Sequence, residues 1–194
     1  MRKALGAVYL EGRQFERAAE QLRLAIEQQP NDRETHEKLI ACFDGQADKQ
    51  GAVRQLLESA QLSRRDLALY RDLGRRYAEL KDPQQAERAY TTIVEMLPSE
   101  SESHALLAEI RQEQDRWNEA IQGWQRVAEI RALEPTGLLK LGAAQVQLKN
   151  WDGASETARR LRARGWPSRF GDVEAEIRRM ERQIDEGRAV KRER

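Results

Sequence analysis

Five alanines, Ala18, Ala52, Ala86, Ala120 and Ala154, stand 34 residues apart along the chain. Five leucines, Leu5, Leu39, Leu73, Leu107 and Leu141, keep the same interval. Two residue types locked to one period mean one supersecondary unit repeated five times, with no insertion between the anchors. Such a chain cannot build a central core. Each unit buries its apolar face against its neighbours, and the fold is quasi-one-dimensional.

The unit reads as helix, turn, helix. In the third copy Tyr70, Leu73, Gly74 and Tyr77 share one face at helical spacing. Asp82-Pro83 then supplies an N-cap and a first helical residue, with Gln85 placed as in a capping box. Ala86, Ala89, Tyr90, Ile93 and Val94 form the face of the second helix, which Pro98 stops. Small residues at Gly6, Gly74, Ala108 and Gly142 predict a close approach of paired helices. A glycine inside a helix costs about 1 kcal/mol relative to alanine, so its recurrence signals a packing demand. Asp44-Gly45 and Gly51, around Gln46-Ala47-Asp48, predict a loosened turn in the second unit.

Composition agrees with helices. Charged residues make up 35% of the chain and aromatics only 6%, which disfavours a β-sandwich. The 34 Lys and Arg nearly balance the 33 Asp and Glu, leaving a net charge of +1. That balance gives no general attraction to nucleic acid or anionic membrane. The single cysteine, Cys42, excludes an internal disulfide framework and a cysteine-based zinc site. No apolar run approaches the roughly 18 residues of a spanning helix. Met1-Arg2-Lys3 followed by Ala4 to Leu10 imitates a short signal peptide, but Glu11 ends the run and no small-residue cleavage site follows. The repeat register assigns these residues to the first helix instead.

The pattern resembles the tetratricopeptide repeat, whose signature is an aromatic, Leu-Gly, a Tyr, an Ala, a second aromatic and a closing Pro. Tyr70, Leu73-Gly74, Tyr77, Ala86, Tyr90 and Pro98 meet all of it, and Leu5-Gly6, Tyr9, Ala18, Leu22 and Pro30 meet most. The second unit has His36, Leu39, Phe43, Ala52 and Leu56, with Ile40 for the Gly and Arg64 for the Pro. The fourth keeps Leu107-Ala108, Ala120 and Trp124, and the fifth Leu141-Gly142 and Ala154, with Gln145 and Ala158 in the aromatic slots. The resemblance implies an all-α, right-handed α-solenoid with units at about 1–32, 33–66, 67–100, 101–134 and 135–168. The first unit lacks its opening residues, so a piece of a longer array or larger protein is expected.

Beyond the repeats, Phe170, Val173, Ile177, Met180 and Ile184 recur at three- and four-residue spacing. They predict a capping helix within 169–187, started by Asp172 and closed by Gly187, with a basic tail over 188–194. Trp166-Pro167 is expected to seal its junction with the array.

Nothing in the chain assembles catalytic chemistry. His36 and His104 occupy equivalent positions where the resemblance places a packing aromatic. No HExxH, paired CxxC, GxGxxG or P-loop occurs. Cys42, beside Phe43, reads as a small core residue. Phe15, Trp117 and Trp151, each three before a repeat alanine, read as core, as does Trp124. The run Arg159, Arg160, Arg162, Arg164 and Arg169 reads as cations at a helix C-terminus. Without interleaved aromatics or overall basic charge, nucleic acid is not an expected partner. No enzyme activity, cofactor or metal is expected.

By the geometry the resemblance implies, the first helices line a concave groove. Its candidate residues are Lys38, Arg71, Arg75, Glu102, Glu109, Glu113 and Lys140, with Leu106, Leu139 and Val146 as apolar anchors. Ala7 and Lys38 stand where the carboxylate clamp of some members has asparagines, which argues against that clamp. Acidic Glu102, Glu109 and Glu113 should attract a basic stretch, and Arg71 and Arg75 an acidic one. The expectation is a protein-interaction scaffold holding an extended or helical peptide of mixed charge. Alternatives are a self-assembling module, with homo-oligomers, and the regulatory or targeting arm of a larger enzyme outside these residues. A soluble, cytoplasmic setting is the expectation, with the compartment otherwise open.

Overall fold

In a computed structural model of the chain, residues 1–192 are described, with side chains through residue 189. The described residues form eleven α-helices. They are α1 (Arg2–Glu11), α2 (Phe15–Gln28), α3 (Arg33–Gly45), α4 (Lys49–Leu62), α5 (Leu67–Glu79), α6 (Pro83–Met96), α7 (Ser101–Glu113), α8 (Trp117–Ile130), α9 (Thr136–Gln147), α10 (Trp151–Arg162) and α11 (Val173–Arg192). A short 3-10 turn, Ser168–Phe170, precedes α11. They fall into two compact units, Met1–Met96 with α1 to α6 and Leu97–Arg194 with α7 to α11. Within each unit consecutive helices pack as hairpins stacked on the next hairpin, an all-α solenoid arrangement. No helix among the described residues is long and apolar enough to cross a membrane.

The repeat alanines are fully buried. All five are 0% exposed. Leu39, Leu73, Leu107 and Leu141 are buried as well, whereas Leu5 is 41% exposed because no earlier hairpin among the described residues covers α1. The glycines do what their helical cost implied. Gly6 lies directly under Leu22 and Gly74 directly under the Tyr90 ring.

The turn inside each hairpin is built the same way every time. Arg13, Ala47, Lys81, Asp115 and Lys149 hold φ between 54° and 58°, again 34 residues apart. Each N–H donates to the carbonyl three residues back, and the next N–H donates five back, as from Gln14 to Tyr9 and from Asp82 to Tyr77. This is the Schellman closure of a helix C-terminus. The second hairpin is no exception, so the loosened turn expected there is absent. Its glycines answer packing instead: the Phe15 ring lies on Gly45, and Gly51 sits against Asp48, which caps α4 through the Gly51 N–H at 2.8 Å.

Side-chain caps start several helices. Asp82 accepts from the Gln85 N–H at 3.1 Å and α6 begins at Pro83, as read from the sequence. Asp172 accepts from the Ala175 N–H at 2.9 Å at the start of α11. Val173, Ile177, Met180 and Ile184 are buried, while Phe170 packs from the preceding turn. Trp166 donates from Nε1 to the Leu161 carbonyl at 2.8 Å and packs on the same core. The expected end of this helix at Gly187 is wrong. The helix continues to Arg192, because Gly187 is there to admit the Trp151 ring against the helix backbone. The segment expected as a basic tail is thus helical through Arg192, and 193–194 lie outside the described residues.

Candidate functional site

The residues that could have carried chemistry are occupied by structure. His36 donates from Nε2 to the Pro30 carbonyl at 2.7 Å, and its Nδ1 accepts from Gln55 at 2.6 Å. His104 repeats the first contact with the Pro98 carbonyl at 3.0 Å. Both histidines therefore tie a helix start to the preceding turn. Cys42 is fully buried, and burial pushes its thiol up to about 11.

The charged groove candidates are largely committed to partners. Lys38 bonds Glu34 at 2.5 Å, and Glu34 also receives Lys3 at 2.6 Å. Those two ammonium groups, Lys3 first, hold the Glu34 carboxyl below its ordinary range. Arg75 pairs with Asp72 on its own helix. Next to it Arg76 clasps Asp44 of α3 through both terminal nitrogens, at 2.5 and 2.8 Å, and reaches Asp72 from Nε at 3.0 Å. Lys140 stands 3.9 Å from Glu109 and 5.7 Å from the centre of the Trp124 ring, a cation–π geometry. Glu113 is exposed at the end of α7, and Glu102 is exposed near its start. Of the seven, the structure brings together Glu109 and Lys140.

The concavity with an apolar floor lies in the second unit, between α9 and α11, and encloses about 340 Å³. Helical periodicity explains it. One face of α9 carries Leu138, Leu141 and Gly142 into the core. Leu139, Ala143 and Val146 recur at i, i+4 and i+7 on the next face and form the cleft floor. Met180 closes the floor from α11, with Glu176, Arg179 and Gln183 on the rim. Trp117, expected in the core, is only partly buried and walls the cleft with Gln112. Gln112 is fixed from behind, its Oε1 accepting from the buried Trp124 Nε1 at 3.1 Å.

None of the seven charged candidates lines this cleft, whereas the apolar anchors Leu139 and Val146 do. The contribution of α11 was not visible in the sequence. Its register on α9 is set by Met180 over Gly142, and no repeat copy exists from which to read it.

No family model matches the sequence, and no curated protein matches it. Solved structures do. MamA from Desulfovibrio magneticus RS-1 is 16% identical, with 93% of each chain covered and a TM-score of 0.58. YrrB, described as a TPR protein with an unusual peptide-binding site, is 14% identical over 82% of each chain, with a TM-score of 0.59. The chain folds as tetratricopeptide repeats. The Naa15/Naa10 complex bound to HypK-THB contains a further likeness, 14% identical with a TM-score of 0.68. There 98% of this chain covers 29% of the longer one.

Proposed function

We propose that this chain is a non-enzymatic scaffold that holds a peptide of a partner protein, seating an apolar anchor between α9 and α11. The observation that carries the reading is the row Leu139, Ala143 and Val146, left open under a polar rim when the rest of the α9 apolar surface is buried. A cleft of about 340 Å³ is at the small end of ligand sites and suits one or two apolar side chains. Glu176 and Arg179 on the rim suit a peptide that carries charge of both signs beside the anchor. The fold shared with a peptide-binding protein and with a protein bound to HypK-THB adds support.

The test is a photo-crosslinking residue at Val146, with Arg160 on the exposed side of α10 as the control position. A peptide crosslinked from Val146 and not from Arg160 should, once synthesised, bind the purified chain and lose binding to Val146→Asp. Crosslinks from Arg160 alone, or equal binding to Val146→Asp, would overturn the reading.

Self-assembly has its own observation. Leu5 and Val8 on α1 are 41% and 62% exposed, a small apolar face that a second copy would cover. Sedimentation of wild type beside Val8→Glu decides it: concentration-dependent mass lost in the variant supports assembly, and a monomer throughout removes it.

A further inference from the structure

The junction between α4 and α5 lacks the proline that closes the first and third repeats, and carries two consecutive arginines instead. Where Pro30 and Pro98 close their repeats, the second has Ser63-Arg64-Arg65. A wide, shallow depression of about 810 Å³ opens there, lined by Arg33, Ser63, Arg64, Arg65, Asp66 and Arg71 among others. Its one carboxylate is already engaged. Asp66 Oδ1 accepts from the Ala68 N–H at 3.0 Å, and Oδ2 lies 2.6 Å from Arg33. Arg33 in turn holds Glu37 at 2.7 Å. Arg64 and Arg65 are exposed and make no hydrogen bond or ion pair with any described residue. Their charge is uncompensated, unlike that of Arg75 and Arg76, which Asp72 and Asp44 offset.

We infer that this depression binds an acidic peptide segment, with oxyanions lying across Arg64 and Arg65. The guanidinium fork matches planar carboxylates and phosphoryl groups alike. Consecutive Asp or Glu residues and a phosphorylated hydroxyl are therefore the two sources of one chemistry. A peptide is favoured over nucleic acid because no aromatic lines the depression on which a base could stack. The inference deepens the scaffold reading and rests on it, but on a surface separate from the α9–α11 cleft. It moves the acidic-partner contact from the expected Arg71–Arg75 pair to the loop arginines.

Fluorescence anisotropy tests it with the full chain and three labelled octapeptides, bearing four Glu, one phosphoserine or four Gln. The variants are Arg64→Gln/Arg65→Gln and, as a charge-matched control, Arg159→Gln/Arg160→Gln, each checked for folding by circular dichroism. An acidic peptide should bind wild type in preference to the Gln peptide. The Arg64/Arg65 variant should weaken that binding by about tenfold or more, and the control by less than about twofold. The tighter acidic peptide identifies the source. Equal weakening by both variants, no preference for acid up to about 1 mM, or tighter binding of a single-stranded oligonucleotide of equal charge would overturn the inference. Val146→Asp should leave acidic-peptide binding intact, so the cleft and this site fail separately.

Discussion

Met180 of α11 lies directly over Gly142 of α9, in the space that the repeat's own second helix fills elsewhere. Leu22 covers Gly6 and Tyr90 covers Gly74, but the equivalent residue of the fifth repeat is the small Ala158. The last helix thus completes the fifth repeat as well as covering it. Trp151 against Gly187, two turns further along α11, repeats the contact of Phe15 with Gly45. In both, an aromatic opening a second helix meets a glycine in the helix that follows the hairpin.

These contacts should be coupled. Met180→Ala should destabilise the second unit by about 2–5 kcal/mol, since it empties a filled core site. Gly142→Ala, which pushes Met180 aside, should cost about 1–3 kcal/mol. The double variant should cost less than the sum, because the added methyl no longer meets Met180. Urea unfolding of the four proteins measures the coupling, and strict additivity would refute the packing described.

Filling the cleft floor with charge should act on binding and not on folding. Val146 is only partly buried, so Val146→Asp should change stability by about 1 kcal/mol at most. Loss of a well-seated anchor should weaken partner binding by about 2 kcal/mol or more. Titration of the crosslink-identified peptide against both proteins checks this, and comparable losses in stability and affinity would make Val146 merely structural.

The left-handed turns supply a stability test. A non-glycine residue in that conformation costs about 1–2 kcal/mol, part of which glycine returns in the unfolded chain. Ala47→Gly and Lys149→Gly should each stabilise by about 0.5–1 kcal/mol, read as a higher urea midpoint. Lower midpoints would show that these residues contribute contacts beyond their backbone angles.

How much of this was legible in the sequence differs by feature. The period and the buried alanines were, because one residue type recurs wherever two helices touch. The left-handed turn was not, although it keeps the same period, because Arg13, Ala47, Lys81, Asp115 and Lys149 share no side-chain chemistry. Gly187 was misread because glycine both ends helices and admits rings against them, and only the position of Trp151 separates the two uses. Helical position, which picks out the charged groove candidates, does not tell an arginine paired to Asp72, such as Arg75, from an exposed loop arginine such as Arg64. The Arg64-Arg65 loop registered only as a missing proline. Leu139 and Val146 were readable as open apolar positions on α9, whereas the α11 wall opposite them follows from tertiary packing alone.

Acid should loosen the junction of α1 with α3. Lys3 bonds Asp32 at 2.8 Å and the Thr35 hydroxyl donates to it at 2.8 Å. Those contacts, Lys3 first, hold the Asp32 carboxyl down at about 2, against an ordinary 3.8. The folded state therefore binds this proton less readily than the unfolded state. The stabilisation is fully present above the ordinary carboxylate range and is lost as pH falls through about 4 toward about 2. Asp32→Asn should accordingly be less stable than wild type at neutral pH, and the gap should close over that interval. Because both side chains are only partly buried, 34% and 20% exposed, the gap will be modest and should shrink with salt. Thermal unfolding of the two proteins from pH about 7 down to about 2, at low and high ionic strength, measures it. A gap that stays constant across the acid range would mean that Asp32 acts through its hydrogen bond to Thr35 rather than through its charge.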